Sequence, residues 1–183
     1  MESVLFIIAQ SLFFALPMYA ANMAPVLVKG IPILAKPIDG GRLWRGQPIL
    51  GSHKTWRGLI AGVALAVGVV YLQRFAINHY SWIDLPQLDY QQATIWLFGA
   101  LAGFGALFGD AVKSFFKRRV GKPSGSSWPP FDQIDFIIGG LVFARFYTPI
   151  AWEVVVILCL LTPIGHLAVN RIAYAIGLKE VPY

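Results

Sequence analysis

The chain has little of what marks a water-soluble enzyme. Only 13% of its 183 residues are charged and only nine are acidic, while 57% are hydrophobic. That balance excludes an ordinary soluble globular domain and falls in the membrane class. There is one cysteine, Cys159, set in an apolar run. A single thiol excludes an intramolecular disulfide framework and a Cys-x-x-Cys metal site. No Ser-His-Asp arrangement is visible, and the three histidines are scattered. His79 and His166 read as structural, and His53 stays open. The N-terminus carries Glu2 and no early basic residue. A secretory leader needs a positive start, so the first apolar run reads as a retained span. A net charge of +6 reflects topology in such a composition rather than binding of nucleic acid.

Long apolar runs are plentiful. A spanning helix needs about 20 mostly apolar residues. The runs predict an all-α integral membrane protein of one domain, 1–183, with five spans at roughly 3–22, 58–78, 90–110, 131–148 and 152–170. Two long connections, 23–57 and 111–130, join them. The first holds Lys29, Lys36, Arg42, Arg45, Lys54 and Arg57. The second holds Lys113, Lys117, Arg118, Arg119 and Lys122, and the C-terminal tail adds Arg171 and Lys179. The other side has Arg74 and Arg145 beside Glu2, Asp84, Asp89 and Glu153. The positive-inside bias therefore predicts both connections and the C-terminus in the cytoplasm and the N-terminus outside. Gly99, Gly103, Gly105 and Gly109 predict close helix packing in the third span.

The unusual stretch is "GDAVKSFFKRRVGKPSGSSWPPFDQID", Gly109 to Asp135, where acids sit at the ends of two apolar runs. Asp110, Lys113, Ser114 and Lys117 recur at helical spacing and share one face. The helix predicts a stop at Gly121. Asp132 and Asp135 are three apart and point the same way. Pro123, Pro129 and Pro130 exclude a helix between the two acidic ends. If the third and fourth spans are neighbours, three carboxylates converge. Carboxylates brought together need a cation, and magnesium leaves coordination positions for phosphate oxygens while nearby lysines and arginines neutralise the remainder. Structural pairing of Asp110 and Asp132 with Lys113 and Arg118 is the plainer alternative.

The first connection holds a second constellation, "PIDGGRLWRGQPILGSHKTWRG". Asp39-Gly40-Gly41 is a turn signal, and the glycines of this stretch with Lys54, Thr55 and Arg57 suit a cradle for anionic oxygens. It lacks P-loop spacing. Trp44 and Trp56 in a basic interfacial loop are the other reading. Asn22 either lines a pocket or caps the first helix.

The Gly-Asp, Ser-x-x-Lys-Arg, Pro-rich turn and Asp-x-x-Asp order resembles the membrane CTP-dependent cytidylyltransferases. With five spans, short length, "PIDGG" and "HKTWRG", the chain looks most like the archaeal CDP-archaeol synthases, a likeness covering most of its length. Bacterial phosphatidate relatives carry an acid after the loop lysine and a Pro-Gly-His-Gly-Gly turn. Here Pro123 follows Lys122 and the turn reads Trp128-Pro129-Pro130-Phe131, so a second metal is not implied. The resemblance implies CTP, Mg2+ and an isoprenoid glycerol-phosphate acceptor at the cell membrane. It implies metal-holding Asp110, Asp132 and Asp135, a catalytic Lys117, and phosphate contacts from Lys54, Thr55, Arg57, Ser114, Arg118, Lys122, Ser126 and Ser127. A homo-oligomer fits the same plan. A small-solute or ion transporter with a cytoplasm-facing acidic site is the rival expectation. A CDP-alcohol phosphotransferase also pairs acids with magnesium, but "DGGRLW" does not supply its Asp-Gly-x-x-Ala-Arg signature.

Overall fold

The computed structural model describes residues 4–80, 88–123, 126 and 128–175. Ser127, Asp84, Lys179 and the side chain of His166 lie outside the described residues. Five helices carry the fold: α1 (Val4–Leu27), α2 (Trp56–His79), α3 (Ile95–Arg119), α4 (Phe131–Ala144) and α5 (Trp152–Ala175). Two short strands, β1 (Leu43–Trp44) and β2 (Gln47–Pro48), make an antiparallel hairpin in the first connection, with Leu43 opposite Pro48.

Among the described residues, three helices, α1, α2 and α3, are long and apolar enough to cross a membrane, and α5 is apolar over Trp152–Gly165. α4 has 14 residues, about 21 Å of helix at about 1.5 Å per residue, against a hydrocarbon core of about 30 Å. Its expected extension to 148 does not form as helix. After Ala144 the chain tightens, with Phe146 N bonding Phe143 O at 3.1 Å and Tyr147 N bonding Ala144 O at 3.0 Å. Pro149 then blocks continuation. α3 starts at Ile95 rather than 90, because the Asp89 side chain accepts from Gln91 N at 2.9 Å and holds a turn there. It continues to Arg119 and closes as a Schellman motif. Gly121 N bonds Arg118 O and Lys122 N bonds Lys117 O, both at 3.1 Å, with Gly121 at φ +76°. α1 runs past its expected end at 22, so Asn22 lies inside the helix and caps nothing.

α3 packs against α1, α2 and α4, while α5 touches α4 and α1. The shared core includes Phe14 and Met18 of α1, Ala66 and Val70 of α2, Phe98 and Ala102 of α3, Phe136 and Ile137 of α4, and Leu158 of α5. Small residues let these backbones approach, as membrane helices require. A Cβ on Gly109 would collide with the Asp135 carbonyl, and one on Gly139 would collide with the Gly105 carbonyl. α3 and α4 therefore touch backbone to backbone at the level of the acidic residues. That contact sets Asp110 and Lys113 beside Asp132 and Asp135.

Candidate active site

The three aspartates meet around a lysine of their own chain. Lys113 Nζ lies 3.0 Å from Asp110 Oδ1, 2.8 Å from Asp132 Oδ1 and 2.7 Å from Asp135 Oδ2. Lys54, from the first connection, pairs with the other oxygen of Asp110. Lys117 Nζ reaches Asp132 at 3.2 and 3.3 Å and also donates to the Ser126 carbonyl. Trp128 N donates to Asp132 Oδ2, and Phe136 N donates to Asp135 Oδ1 at 2.8 Å. Asp135 Oδ2 is buried and makes no well-aligned hydrogen bond despite its closeness to Lys113. The cluster therefore opposes Asp110, Asp132 and Asp135 with Lys54, Lys113 and Lys117, charge against equal charge.

Among the described residues no group of three acids, imidazoles or thiols is arranged as a finished metal cage. The donor set nevertheless suits a hard cation. Carboxylate oxygens from two helices converge on one point, and a cationic group already occupies it.

The first connection folds onto this cluster from a closed loop. Ile38 N bonds Lys54 O at 2.8 Å, and Arg57 N bonds Leu34 O at 2.9 Å, so its two ends pair. Asp39 is the hub. Its Oδ1 accepts from Gly41 N at 2.9 Å, and its Oδ2 accepts from Leu50 N at 2.8 Å and Gly51 N at 3.3 Å. Partial burial pushes its carboxyl up, but the Leu50, Gly41 and Gly51 amides outweigh this and hold it below the usual carboxylate range. Of the loop glycines, Gly41 and Gly51 thus give their amides to the loop's own carboxylate, and Gly40 and Gly58 give theirs to Pro37 O and Thr55 Oγ1. What the loop offers the site is cationic side chains.

Other expected residues take varied places. Thr55 caps α2, its Oγ1 accepting from Gly58 N at 3.3 Å. Arg57 donates to the Ile31 carbonyl. Ser114 and Arg118 are buried on α3, and Arg118 Nε has no hydrogen-bond partner. Lys122 is half-buried just past the end of α3, and Ser126 Oγ turns inward to Pro123 O at 2.9 Å. His79 is structural as expected, bonded to Phe75 O at 2.9 Å and stacked on that ring.

Two cavities flank α3. The larger, about 1060 Å³, runs between α1, α2, α3 and the first connection, with Asn22, Lys29, His53, Lys54, Arg57 and Asp110 among its walls. The smaller, about 490 Å³, is an apolar groove between α3 and α4 walled by Phe108, Phe116, Phe131, Ile138 and Val142. Lys113 and Asp135 line it as well. Sequence reasoning left Lys113 outside the site and gave no role to Arg119, which ties the first connection to α3 through the Trp44, Gln47 and Pro48 carbonyls. Lys113 was signalled by its helical register with Asp110, whereas nothing local signalled Arg119.

Membrane-length helices, an ion-paired acidic centre and a cation-lined cavity beside an apolar groove suit a membrane-embedded enzyme, with cations for an anionic group and an apolar wall for hydrocarbon. The sequence model of the CarS-like family, described as CDP-archaeol synthase, matches residues 4–183. The chain belongs to that family. It is 41% identical over 172 residues to a CDP-archaeol synthase of Thermococcus onnurineus, covering 93% of this chain and 94% of that one. It is 33% identical over 186 residues to one of Methanococcus aeolicus, covering 98% of each. A solved structure of an intramembrane enzyme for archaeal membrane lipids biosynthesis superposes with a TM-score of 0.73 at 28% identity, covering 89% of this chain and 94% of the other. The transporter reading finds no support in these matches.

Proposed function

We propose that this membrane cytidylyltransferase transfers CMP from CTP to an isoprenoid ether-lipid glycerol phosphate, giving unsaturated CDP-archaeol and pyrophosphate at the cytoplasmic face of the cell membrane. The observation that carries the site assignment is the convergence of Asp110, Asp132 and Asp135 on one point, with Asp110 lining the cation-lined cavity and Asp135 the apolar groove. The basic connections 23–57 and 111–130 favour a cytoplasmic site and an outside N-terminus.

An oxygen of the lipid phosphate attacks the α-phosphorus of CTP in line. The new P–O bond forms as the bond from the α-phosphorus to its bridging oxygen breaks, and pyrophosphate leaves with that electron pair. The attacking phosphate is already an anion, so no strong general base is required. The barrier is the approach of one anion to another, and catalysis is mostly positioning and charge stabilisation. Lys54 and Arg57, on the cavity wall, grip the triphosphate. Lys117, Arg118 and Lys122, at the end of α3, meet the lipid phosphate and the leaving group. The hydrocarbon of the acceptor lies in the α3–α4 groove, whose aromatic walls exclude water from the reacting phosphates. Asp110, Asp132 and Asp135 would hold magnesium, which when bound supplies a Lewis acid for the phosphate oxygens.

The test is pyrophosphate release by the detergent-purified chain, with an ether-linked isoprenoid glycerol phosphate against diacyl phosphatidate, and CTP against ATP, GTP and UTP. Release that needs CTP, the isoprenoid lipid and magnesium is expected. No release with either lipid, in protein that still binds CTP, would mean a different acceptor.

A further inference from the structure

Lys113 occupies the point where the three carboxylates meet, reaching one oxygen of each at 2.7 to 3.0 Å. We infer that Lys113 is a built-in counter-ion that holds the divalent-cation seat closed until nucleotide arrives, so that metal and nucleotide bind as a coupled pair. The inference rests on the nucleotidyl-transfer reading above.

Geometry makes the two cations exclusive. A divalent ion sharing these oxygens sits about 2.0–2.6 Å from them, in the space that the Lys113 ammonium fills. Charge makes the exchange conditional. Asp110, Asp132 and Asp135 are matched by Lys54, Lys113 and Lys117. A dication entering alone would displace an ammonium into a partly buried centre with no new partner, leaving uncompensated positive charge. A triphosphate supplies that partner. Lys113 carries its charge on a flexible four-carbon stem, so its ammonium can move from carboxylate to phosphate without moving α3. Lys117 is less free, because the Ser126 carbonyl also holds it.

The oxygens are unequally committed, as an exchange requires. Each acid keeps one donor on the oxygen turned away from Lys113: Trp128 N on Asp132, Lys54 on Asp110 and Phe136 N on Asp135. Of the oxygens facing Lys113, Asp135 Oδ2 belongs to the most buried carboxylate and has no partner besides that ammonium. It is the oxygen that gains most when another cation replaces the ammonium.

The experiment titrates the detergent-purified chain with Mn2+, counted by electron paramagnetic resonance, with and without CTP. Mn2+ shares the preference for carboxylate and phosphate oxygens. Wild type is expected to take up Mn2+ weakly alone and far more tightly with CTP. In Lys113→Gln, affinity for Mn2+ without CTP should rise at least about tenfold, because the seat no longer has to be vacated. The coupling between metal and nucleotide should shrink by the same factor, since it is reciprocal. Equal Mn2+ affinity in the two proteins overturns the inference. If Lys113→Gln does not fold, wild type decides alone, and Mn2+ bound as tightly without CTP as with it overturns the inference. A tenfold gain in protein that never binds CTP would sink the nucleotidyl-transfer reading and leave the cation exchange standing.

Discussion

The guanidinium of Arg119, at the last turn of α3, donates to the Trp44 carbonyl at 2.6 Å and lies 5.3 Å from the Trp44 ring centre. It also donates to Gln47 O at 3.2 Å and Pro48 O at 2.5 Å, while Trp44 stacks on Phe115 with centroids 5.4 Å apart. One side chain thus ties the hairpin to the helix that carries Asp110, Lys113 and Lys117. The same connection supplies Lys54 to Asp110 at its other end.

Arg119→Ala should therefore loosen the arm without touching the reacting atoms. Hydrogen bonds from a charged donor contribute about 1.5–3 kcal/mol each, and about 1.4 kcal/mol is tenfold in an equilibrium constant. We expect KM for CTP to rise about tenfold, with kcat changed much less. Protease cleavage within 43–48 should quicken as well. Arg119→Lys should recover part of the affinity, since an ammonium keeps the charge and three donors but not the planar fork or its stacking on Trp44. A fall confined to kcat would show that Arg119 does something other than position the arm.

Asp132→Asn is the sharpest test of the acidic centre. The side chain keeps its shape and one carbonyl acceptor for Trp128 N, so the fold is expected to persist. Its charge toward Lys113 and Lys117 is lost. Charge stabilisation at a metal–phosphate centre amounts to several kcal/mol, so transfer should fall by about 100-fold or more. Near-normal pyrophosphate release from folded Asp132→Asn would remove this residue from the chemistry.

Why these side chains meet is only partly written in local spacing. Asp132 and Asp135 share a face by their interval of three, Asp110 and Lys113 do likewise, and Gly121 marks the end of α3 as its backbone requires. Those features follow from 3.6 residues per turn and from the left-handed freedom of glycine. The meeting of the two faces depends on α3 and α4 touching at Gly109 and Gly139, and a helix partner cannot be read from one helix. The ammonium at the centre of the acids is a matter of reach, which register does not encode. Arg119 pairs with carbonyls more than seventy positions away, a contact with no local trace. In the glycine-rich loop, Asp39 takes the Gly41, Leu50 and Gly51 amides, a partner that the motif alone does not distinguish from an external anion.

Asp39 links that loop to pH. Its pKa is depressed by the Leu50, Gly41 and Gly51 amides, so its ionised form stabilises the fold. That contribution is full above the unfolded carboxylate value of about 3.9 and is lost as pH falls through the lower folded value. Between neutral pH and about pH 5 the loop should not change. As pH falls below about 3.9, the Leu50 and Gly51 amides should lose protection against hydrogen exchange, after correction for the intrinsic rate. Asp39→Asn should lack this transition and show weaker protection already at neutral pH. The same acid transition surviving in Asp39→Asn would place the titrating group elsewhere.

The glycines of the spans separate packing from propensity. At Gly109 a Cβ would strike the Asp135 carbonyl, whereas at Gly68, inside α2, it would meet nothing within 4 Å. Gly109→Ala should force α3 and α4 apart, with overpacking of this kind costing about 1–3 kcal/mol. Gly68→Ala should be neutral or stabilise α2 by about 0.5–1 kcal/mol, the usual advantage of alanine in a helix interior. Thermal unfolding in detergent reads the two in opposite directions. Gly109→Ala carries a second consequence, because the same contact sets Asp110 and Lys113 against Asp132 and Asp135. Its Mn2+ uptake in the presence of CTP should weaken even at temperatures where the protein remains folded, while Gly68→Ala leaves that uptake unchanged. Equal metal binding in both variants would show that the acidic centre tolerates a shift of its two helices, and the backbone contact would then serve packing alone.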